Sequence, residues 1–186
     1  VSILRAAAVP VTPWKNGMGR TRELAIHPAG AGLADFLWRV SVAEVDRAAP
    51  FSAFPGVDRQ IALLEGDGFV MRFGDGREHA LLEPFMPYAF AGEQAVDVVL
   101  AGSPTRDFNL MLRRGAAAGA IKAWRAGTHD LERVVLVHAA RGDVETPEGM
   151  LHPGDTWLVP AERMQGRLAL RGDAVVLAVR IDATDA

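Results

Sequence analysis

Apolar alternation with a period of two, broken roughly every 8–12 residues by glycine, proline or aspartate, most narrows the folds open to this chain. Phe36, Trp38, Val40 and Val42 alternate with Leu37, Arg39, Ser41 and Ala43. Residues 59–64, 69–73 and 96–100 are short apolar runs between turn residues, and 133–139, 156–159, 167–170 and 174–181 repeat that texture. Strands of this length and spacing predict a sandwich or a barrel. The only helix-friendly stretch, Arg113 to Ala120, carries two glycines and reads as a linker.

The texture also repeats at long range. Ile61 to Gly68, then Leu82-Glu83-Pro84, then Val96 to Leu100 is echoed by Val135 to Gly142, then Leu151-His152-Pro153-Gly154-Asp155, then Ala174 to Leu177. An apolar strand ending at glycine, a Leu-x-Pro turn and a closing strand is how half of a jelly roll reads. The copies lie about 70–80 residues apart, too far for a solenoid and suited to two small β domains. The expected fold is therefore all-β, two jelly-roll β-barrel halves packed together, with residues 1–112 as the N-terminal half and 113–186 as the C-terminal half.

Composition removes whole classes of function. A net charge of −3 offers no basic stripe to replace counterions along a nucleic-acid backbone. No apolar run approaches the ~18 residues of a membrane-spanning helix, and no signal-peptide pattern opens the chain. Zero cysteines exclude disulfides, thiolate metal sites and a cysteine nucleophile, which fits a cytoplasmic protein.

Four segments carry the polar chemistry. Trp14-Lys15-Asn16-Gly17-Met18-Gly19-Arg20-Thr21-Arg22-Glu23 sets Lys15, Arg20 and Arg22 around two glycines, so it reads either as an anion-binding loop or as a polar surface turn. It is not a phosphate loop, since no Gly-Lys-Ser/Thr sequence follows at the required spacing. On residues 36–43, Arg39 and Ser41 share the face opposite Trp38 and Val40. That polar face points to solvent in an ordinary antiparallel sheet, or lines the interior of a barrel. Pro50 to Arg59 is an aromatic loop in which Phe51 and Phe54 either plug a barrel end or wall a pocket. Asp107, Asn109 and Met111 share one strand face, with Asp107 read as an ion-pair partner for arginine.

Together these segments resemble the HutD/Ves family. Trp14-Lys15-Asn16-Gly17, Arg22-Glu23, Trp38-Arg39-Val40-Ser41, Pro50-Phe51-Ser52 with Phe54-Pro55-Gly56 and Asp58-Arg59, and Asp107-Phe108-Asn109 stand in that family's order and spacing. The likeness covers about residues 10–112; beyond them the β texture and the Leu-x-Pro-Gly-Asp turn agree. Met18 departs from the pattern, which leads one to expect a further glycine. The resemblance implies a bicupin fold, a cupin-like pocket and an association with histidine-utilisation genes. It also selects the interior reading of Arg39 and Ser41.

The histidines do not suit a metal-dependent cupin. His27, His79, His129, His138 and His152 occur singly, with no His-x-His pair and no glutamate at ligand spacing. His27 and His79 are expected to face solvent and His138 to be a satisfied core residue. No cofactor is expected. What remains is binding: Lys15, Asn16, Arg39, Ser41, Ser52, Arg59 and Asn109 suit a small carboxylate, with Trp14 and Phe51 as walls. The leading reading is a metal-free, non-enzymatic protein that binds a urocanate or N-substituted glutamate type of metabolite and modulates histidine catabolism. The alternatives are a cofactor-free isomerase, lyase or hydrolase with Glu23 or Asp107 as base, and an interaction protein with a vestigial pocket. A homodimer is compatible with either.

Overall fold

The computed structural model describes residues 2–182, and it is almost entirely β, with two single-turn 3₁₀ segments at Ala6–Ala8 and Ala161–Arg163. Contacts divide it into two units, residues 10–117 and residues 2–9 with 118–182. Residues 118–120, read from sequence as the end of a linker, open the second unit as the start of the strand Ala118–Trp124. The glycine there lies close to backbone at Arg180, so Gly119 serves strand pairing rather than a hinge. Residues 2–9 join the second unit, not the first as the sequence division has it. Ile3–Leu4 pairs with Thr156–Leu158. Asp155 accepts hydrogen bonds from the Ala6 N–H at 2.9 Å and from Arg5 at 2.6 Å, which secures the segment.

The first unit has a six-stranded sheet in the order Thr12–Pro13, Gly19–His27, Trp38–Val45, Thr105–Arg113, Val57–Glu65, Tyr88–Ala91. A four-stranded sheet runs Ala49–Phe51, Val96–Leu100, Phe69–Phe73, Glu78–Leu81. Its core is a layer of Val45, Ile61, Leu63 and Phe90 from the large sheet with Phe69, Met71, Phe73, Val96 and Val98 from the small one, all nearly solvent-free. The second unit has a five-stranded sheet in the order Ile3–Leu4, Thr156–Leu158, Val134–Arg141, Val175–Asp182, Ala118–Trp124, and two two-stranded ladders. Trp157, Leu151, Leu131, Val137 and Val176 fill its core.

Strand pairing repeats between the units. Val57–Glu65 lies between Tyr88–Ala91 and Thr105–Arg113, as Val134–Arg141 lies between Thr156–Leu158 and Val175–Asp182. Ala49–Phe51 pairs with Val96–Leu100 as Gly127–Asp130 pairs with Arg167–Leu170. Each unit is one jelly roll. The sequence echo aligned 96–100 with 174–177, and the ladders shift that by one strand: the counterpart of Val175–Asp182 is Thr105–Arg113. The two apolar closing strands look alike in sequence, so only their partners separate them.

Turn geometry is set at a few glycines. Gly68 ends the Val57–Glu65 to Phe69–Phe73 connection at φ +80°, and a Cβ there would sit 2.1 Å from the Leu81 carbonyl oxygen. Backbone cannot retreat as a flexible side chain can. Gly68→Ala is expected to destabilise the fold by about 3 kcal/mol or more. Gly76→Ala, at φ +89° but in open space, should cost only about 1 kcal/mol, from backbone strain alone. Denaturant unfolding of the two variants checks the contrast.

Candidate functional site

Cross-strand register assembles the site on the inner face of the large sheet. Met111 is flanked by Arg39 on one side and Arg59 on the other, and Arg59 is in turn opposite Phe90. In the next row Asn109 lies between Ser41 and Ile61, with Glu23 beyond Ser41. One row further, Asp107 lies between Ala43 and Leu63, with Thr21 beyond Ala43. Pairing is regular across these rows and two bulges bound it: one between Glu23 and Ala25 follows the Glu23–Ser41 pair, and one at Arg106/Asp107 precedes the Asp107–Leu63 pair.

This face is the one that carries Val45, Ile61, Leu63 and Phe90 into the apolar core. Its polar members are therefore inside: Asp107, Ser41, Asn109 and Arg59 are all buried. The opposite face, with Val40, Val42, Phe108 and Leu110, is buried as well. Both faces of Trp38–Val45 thus lie away from water, and an alternation that reads as amphipathic is not a boundary between core and solvent.

Arg59, Asn109 and Asp107 form a chain. Arg59 Nη2 donates to Asn109 Oδ1 at 3.0 Å, and Asn109 Nδ2 donates to Asp107 Oδ1. The guanidinium lies within cation–π range of three rings, 4.9 Å from the Phe90 centroid and 5.5 Å from those of Phe51 and Phe54. Burial pushes Arg59 down to about 10; the Asp107 charge opposes this shift and Arg39 adds to it. Arg59 is still a cation at neutral pH. Burial pushes the Asp107 carboxyl up to about 7, against the pull of the Asn109 hydrogen bond and the Arg59 charge. An ion-pair partner for arginine, as the sequence reads Asp107, would be held acidic. Desolvation wins instead, because no arginine hydrogen-bonds to Asp107 directly. Arg59 Nε and Asp107 Oδ2 are buried without a hydrogen-bond partner among the described residues.

Arg39 sits nearer the surface. Its Nε donates to Glu23 Oε2 at 2.7 Å, with the Arg39 side chain 12% exposed and that of Glu23 42%. Trp14 and Phe51 stand in the same apolar layer, edge to face at 6.2 Å, and Trp14 Nε1 donates to Thr21 Oγ1 at 2.8 Å. The Trp14 ring lies against Gly19, where a Cβ would come within 2.9 Å of it, so that glycine serves ring packing.

The opening loop contributes less than its charge suggests. Arg20 and Arg22 both pair with Glu44, on the other face of the sheet. Lys15, Asn16 and Ser52 are exposed, and no contact given for the described residues joins them to Arg59, Asn109 or Asp107. Asn16 Oδ1 accepts from the Met18 N–H at 3.0 Å, so its carbonyl oxygen shapes the turn. Gly17 takes the turn's positive φ of 69°, and Met18 is not among the residues with φ above zero, so methionine fits there without strain. Phe54, read with Phe51 as a barrel plug or a pocket wall, lies against Arg59, and Phe90 is a third ring that the sequence does not single out. Phe54 is in the right loop, whereas Phe90 lies on Tyr88–Ala91, a strand too short to stand out in the sequence.

Comparison with known proteins now has a site to refer to. The HutD family description matches residues 6–178. The chain belongs to the HutD family. An uncharacterised 21.2 kDa protein from the hutC 3′ region of Pseudomonas putida is 38% identical over 148 residues, covering 78% of this chain and 76% of that protein. The structure of HutD from Pseudomonas fluorescens SBW25 superposes with a TM-score of 0.83 at 28% identity, over 99% of each chain. The conserved protein PA5104 of Pseudomonas aeruginosa PAO1 gives 0.82 at 34% identity, over 97% of this chain and 98% of that one. Ylba of E. coli, at 10% identity and a TM-score of 0.71, shares the fold alone. The HutD family is linked to histidine-utilisation genes, and the HutD structure from Pseudomonas fluorescens shares the all-β fold described above.

The histidines of this HutD-family chain are engaged separately. His138 is buried with Nδ1 2.9 Å from Thr156 Oγ1, as a core histidine should be. His152 pairs with Asp143, and His129 stacks on Trp124. His27 is exposed yet stacked on Trp38, and His79 is half-buried, its ring 3.5 Å from that of Tyr88, rather than facing solvent freely. Among the described residues no three histidine, aspartate or glutamate side chains converge. No helix among them is long and apolar enough to cross a membrane.

The Asp107 environment gives a signed prediction. A carboxyl raised from 3.8 to about 7 on folding holds a proton in the folded state that the unfolded chain has released. Its stabilisation is complete below pH ~4 and is lost as pH rises through about 7. Wild-type stability should therefore fall by a few kcal/mol at most between pH 5 and pH 8 relative to Asp107→Asn, which cannot ionise. Urea unfolding of both proteins across that range is the measurement.

Proposed function

We propose that this HutD-family protein is a metal-free, cytoplasmic small-molecule-binding bicupin whose first unit takes a small carboxylate metabolite and thereby modulates histidine catabolism. Arg59 carries the reading. Its guanidinium stays charged inside an apolar barrel, ringed by Phe51, Phe54 and Phe90, with Nε unpartnered among the described residues. A buried cation of that kind favours an anionic guest that completes its hydrogen bonds. Arg39 adds a second guanidinium on the same face, and Ser41 and Asn109 add neutral polar groups. Lys15, Asn16 and Ser52 then act from the exposed loops, with Trp14 and Phe51 as walls.

The pathway enters through the relatives: the Pseudomonas putida protein lies in the hutC 3′ region. Urocanate and N-substituted glutamates carry carboxylates that suit the two arginines. A second reading, a cofactor-free enzyme with Asp107 as general base, is favoured by the position of that carboxyl at about 7. Following candidate metabolites by NMR in the presence of the protein separates them, since a binder leaves the metabolite unchanged.

A thermal-stability screen with urocanate and N-formylglutamate tests the leading reading. A ligand at ~100 Kd raises stability by about 2.7 kcal/mol. Arg39→Ala should weaken binding by roughly 10–100-fold through loss of a charge-assisted bidentate contact, and Arg39→Lys should recover only part of it. Ligand-free stability should change little in Arg39→Ala, because a largely desolvated charge is removed and the Glu23 left behind is exposed to water. Calorimetry showing parental affinity in Arg39→Ala would remove Arg39 from the site.

A further inference from the structure

Two buried polar atoms in the first unit have no hydrogen-bond partner among the described residues, Arg59 Nε and Asp107 Oδ2. They are of opposite character. Nε–H only donates, and an ionised carboxylate oxygen only accepts. They also belong to one connected group, since Asn109 binds Arg59 through Oδ1 and Asp107 through Nδ2. That amide holds the two residues apart, so neither open valence is closed by the other. An arginine and an aspartate side by side in an apolar barrel ordinarily pair directly, because each then offsets the other's desolvation. Here Asn109 takes one contact of each and leaves the second contact of each open.

A plain carboxylate satisfies only the arginine and brings a second negative charge towards Asp107. A guest that accepts at one end and donates at the other satisfies both. We propose that Arg59 Nε and Asp107 Oδ2 are the two poles of one subsite, and that it selects acids carrying an N–H, with the carboxylate on Arg59 and the N–H donated to Asp107. This rests on the carboxylate-binding reading and goes beyond it by naming the second recognition element. The other charged groups on this sheet face are Arg39 on Trp38–Val45 and Glu23 on Gly19–His27, which pair with each other, and Arg113 at the end of Thr105–Arg113, which lies over the Phe36 ring and donates to the Phe36 carbonyl oxygen. Tyr88 lies on Tyr88–Ala91, and His79, on Glu78–Leu81 of the facing sheet, stacks against it. Arg20, Arg22 and Arg106 gather on Glu44, on the opposite face.

Protonation of Asp107 then sets the selectivity. With its carboxyl at about 7, Asp107 is mostly ionised at pH 8 and mostly protonated at pH 6. Ionised, it accepts an N–H strongly and repels an ether-type oxygen in the same place. Protonated, it is able to donate to that oxygen, and the distinction collapses.

Matched probes test this. N-acetylglutamate and 2-acetoxyglutarate differ only by N–H against O, carry the same charge and do not titrate between pH 6 and pH 8. Urocanate and 3-(2-furyl)acrylate, compared at pH 8, form a second pair with and without a ring N–H. Calorimetry on the full chain should show at least one N–H probe binding roughly tenfold or more tighter than its partner at pH 8. For the amide pair, the preference should shrink several-fold at pH 6. Asp107→Asn, checked for folding by circular dichroism, should show a small preference that does not change with pH. Equal binding within both pairs at pH 8 would overturn the two-pole subsite and leave the carboxylate reading standing. Binding by none of the four probes would overturn both. The wild-type comparison needs no variant, so a folding defect in Asp107→Asn does not blunt the test.

Discussion

A guanidinium held inside an apolar β-barrel governs much of the rest of this structure. Taking a cation out of water is expensive, and the surroundings of Arg59 meet that cost in parts. Three aromatic faces lie against the planar group, Asn109 accepts one of its hydrogen bonds, and Asp107 supplies a nearby opposite charge without touching it. Each of these contributions comes from a different strand or loop. The register of Thr105–Arg113 between Trp38–Val45 and Val57–Glu65 is what brings them together. A slip of one residue in Thr105–Arg113 would turn Asn109 and Asp107 onto the opposite face and bring Leu110 and Phe108 to the side of Arg59.

The site grades from rim to interior. Glu23 and Arg39 are at the wetter end, Ser41 and Asn109 lie deeper, and Asp107 has no exposure at all. Electrostatic effects strengthen along that path as water withdraws. The ordering explains why two acidic residues on one sheet face behave differently. Glu23 is directly paired with an arginine and largely solvated, whereas Asp107 is desolvated and only indirectly linked to one. A fold that served only as a scaffold would gain by replacing such a buried polar group with hydrocarbon. Its presence in the centre of a core otherwise made of Ile61, Leu63, Met71 and Phe69 is the observation on which the proposed binding role rests.

The paired units show how far duplication extends. The central strand neighbours correspond between the two jelly rolls, although the first has six- and four-stranded sheets and the second a five-stranded sheet with two two-stranded ladders. Among the described residues the polar triad has no counterpart in the second unit, whose core is lined by Trp157, Leu151 and Val137. Its one buried histidine, His138, bonds to Thr156 across adjacent strands. One architecture thus carries two interiors: the first unit's has polar groups left open, and the second's is closed over hydrocarbon. Membership of the HutD family rests on residues 6–178, while the buried polar atoms without a partner among the described residues lie in the first unit.

Local sequence determined the class of fold, because alternation and turn residues are properties of adjacent positions. The strands Phe69–Phe73, Val96–Leu100 and Arg167–Leu170 are legible to the residue. The residue types of the site were legible too, since Arg39, Ser41, Arg59 and Asn109 occur in recognisable blocks. Tertiary structure decided everything that depends on which strand lies beside which. It moved residues 2–9 into the second unit, drew Arg20 and Arg22 to Glu44, and left Lys15, Asn16 and Ser52 on the surface. It also raised Asp107 from an ordinary ion-pair partner to a carboxyl poised near neutrality. The physical reason is common to all of these. Period-two alternation separates the two faces of a strand but does not say which face is inside, or whether both are. Burial on both sides, and the desolvation that follows from it, exists only once the sheets have closed.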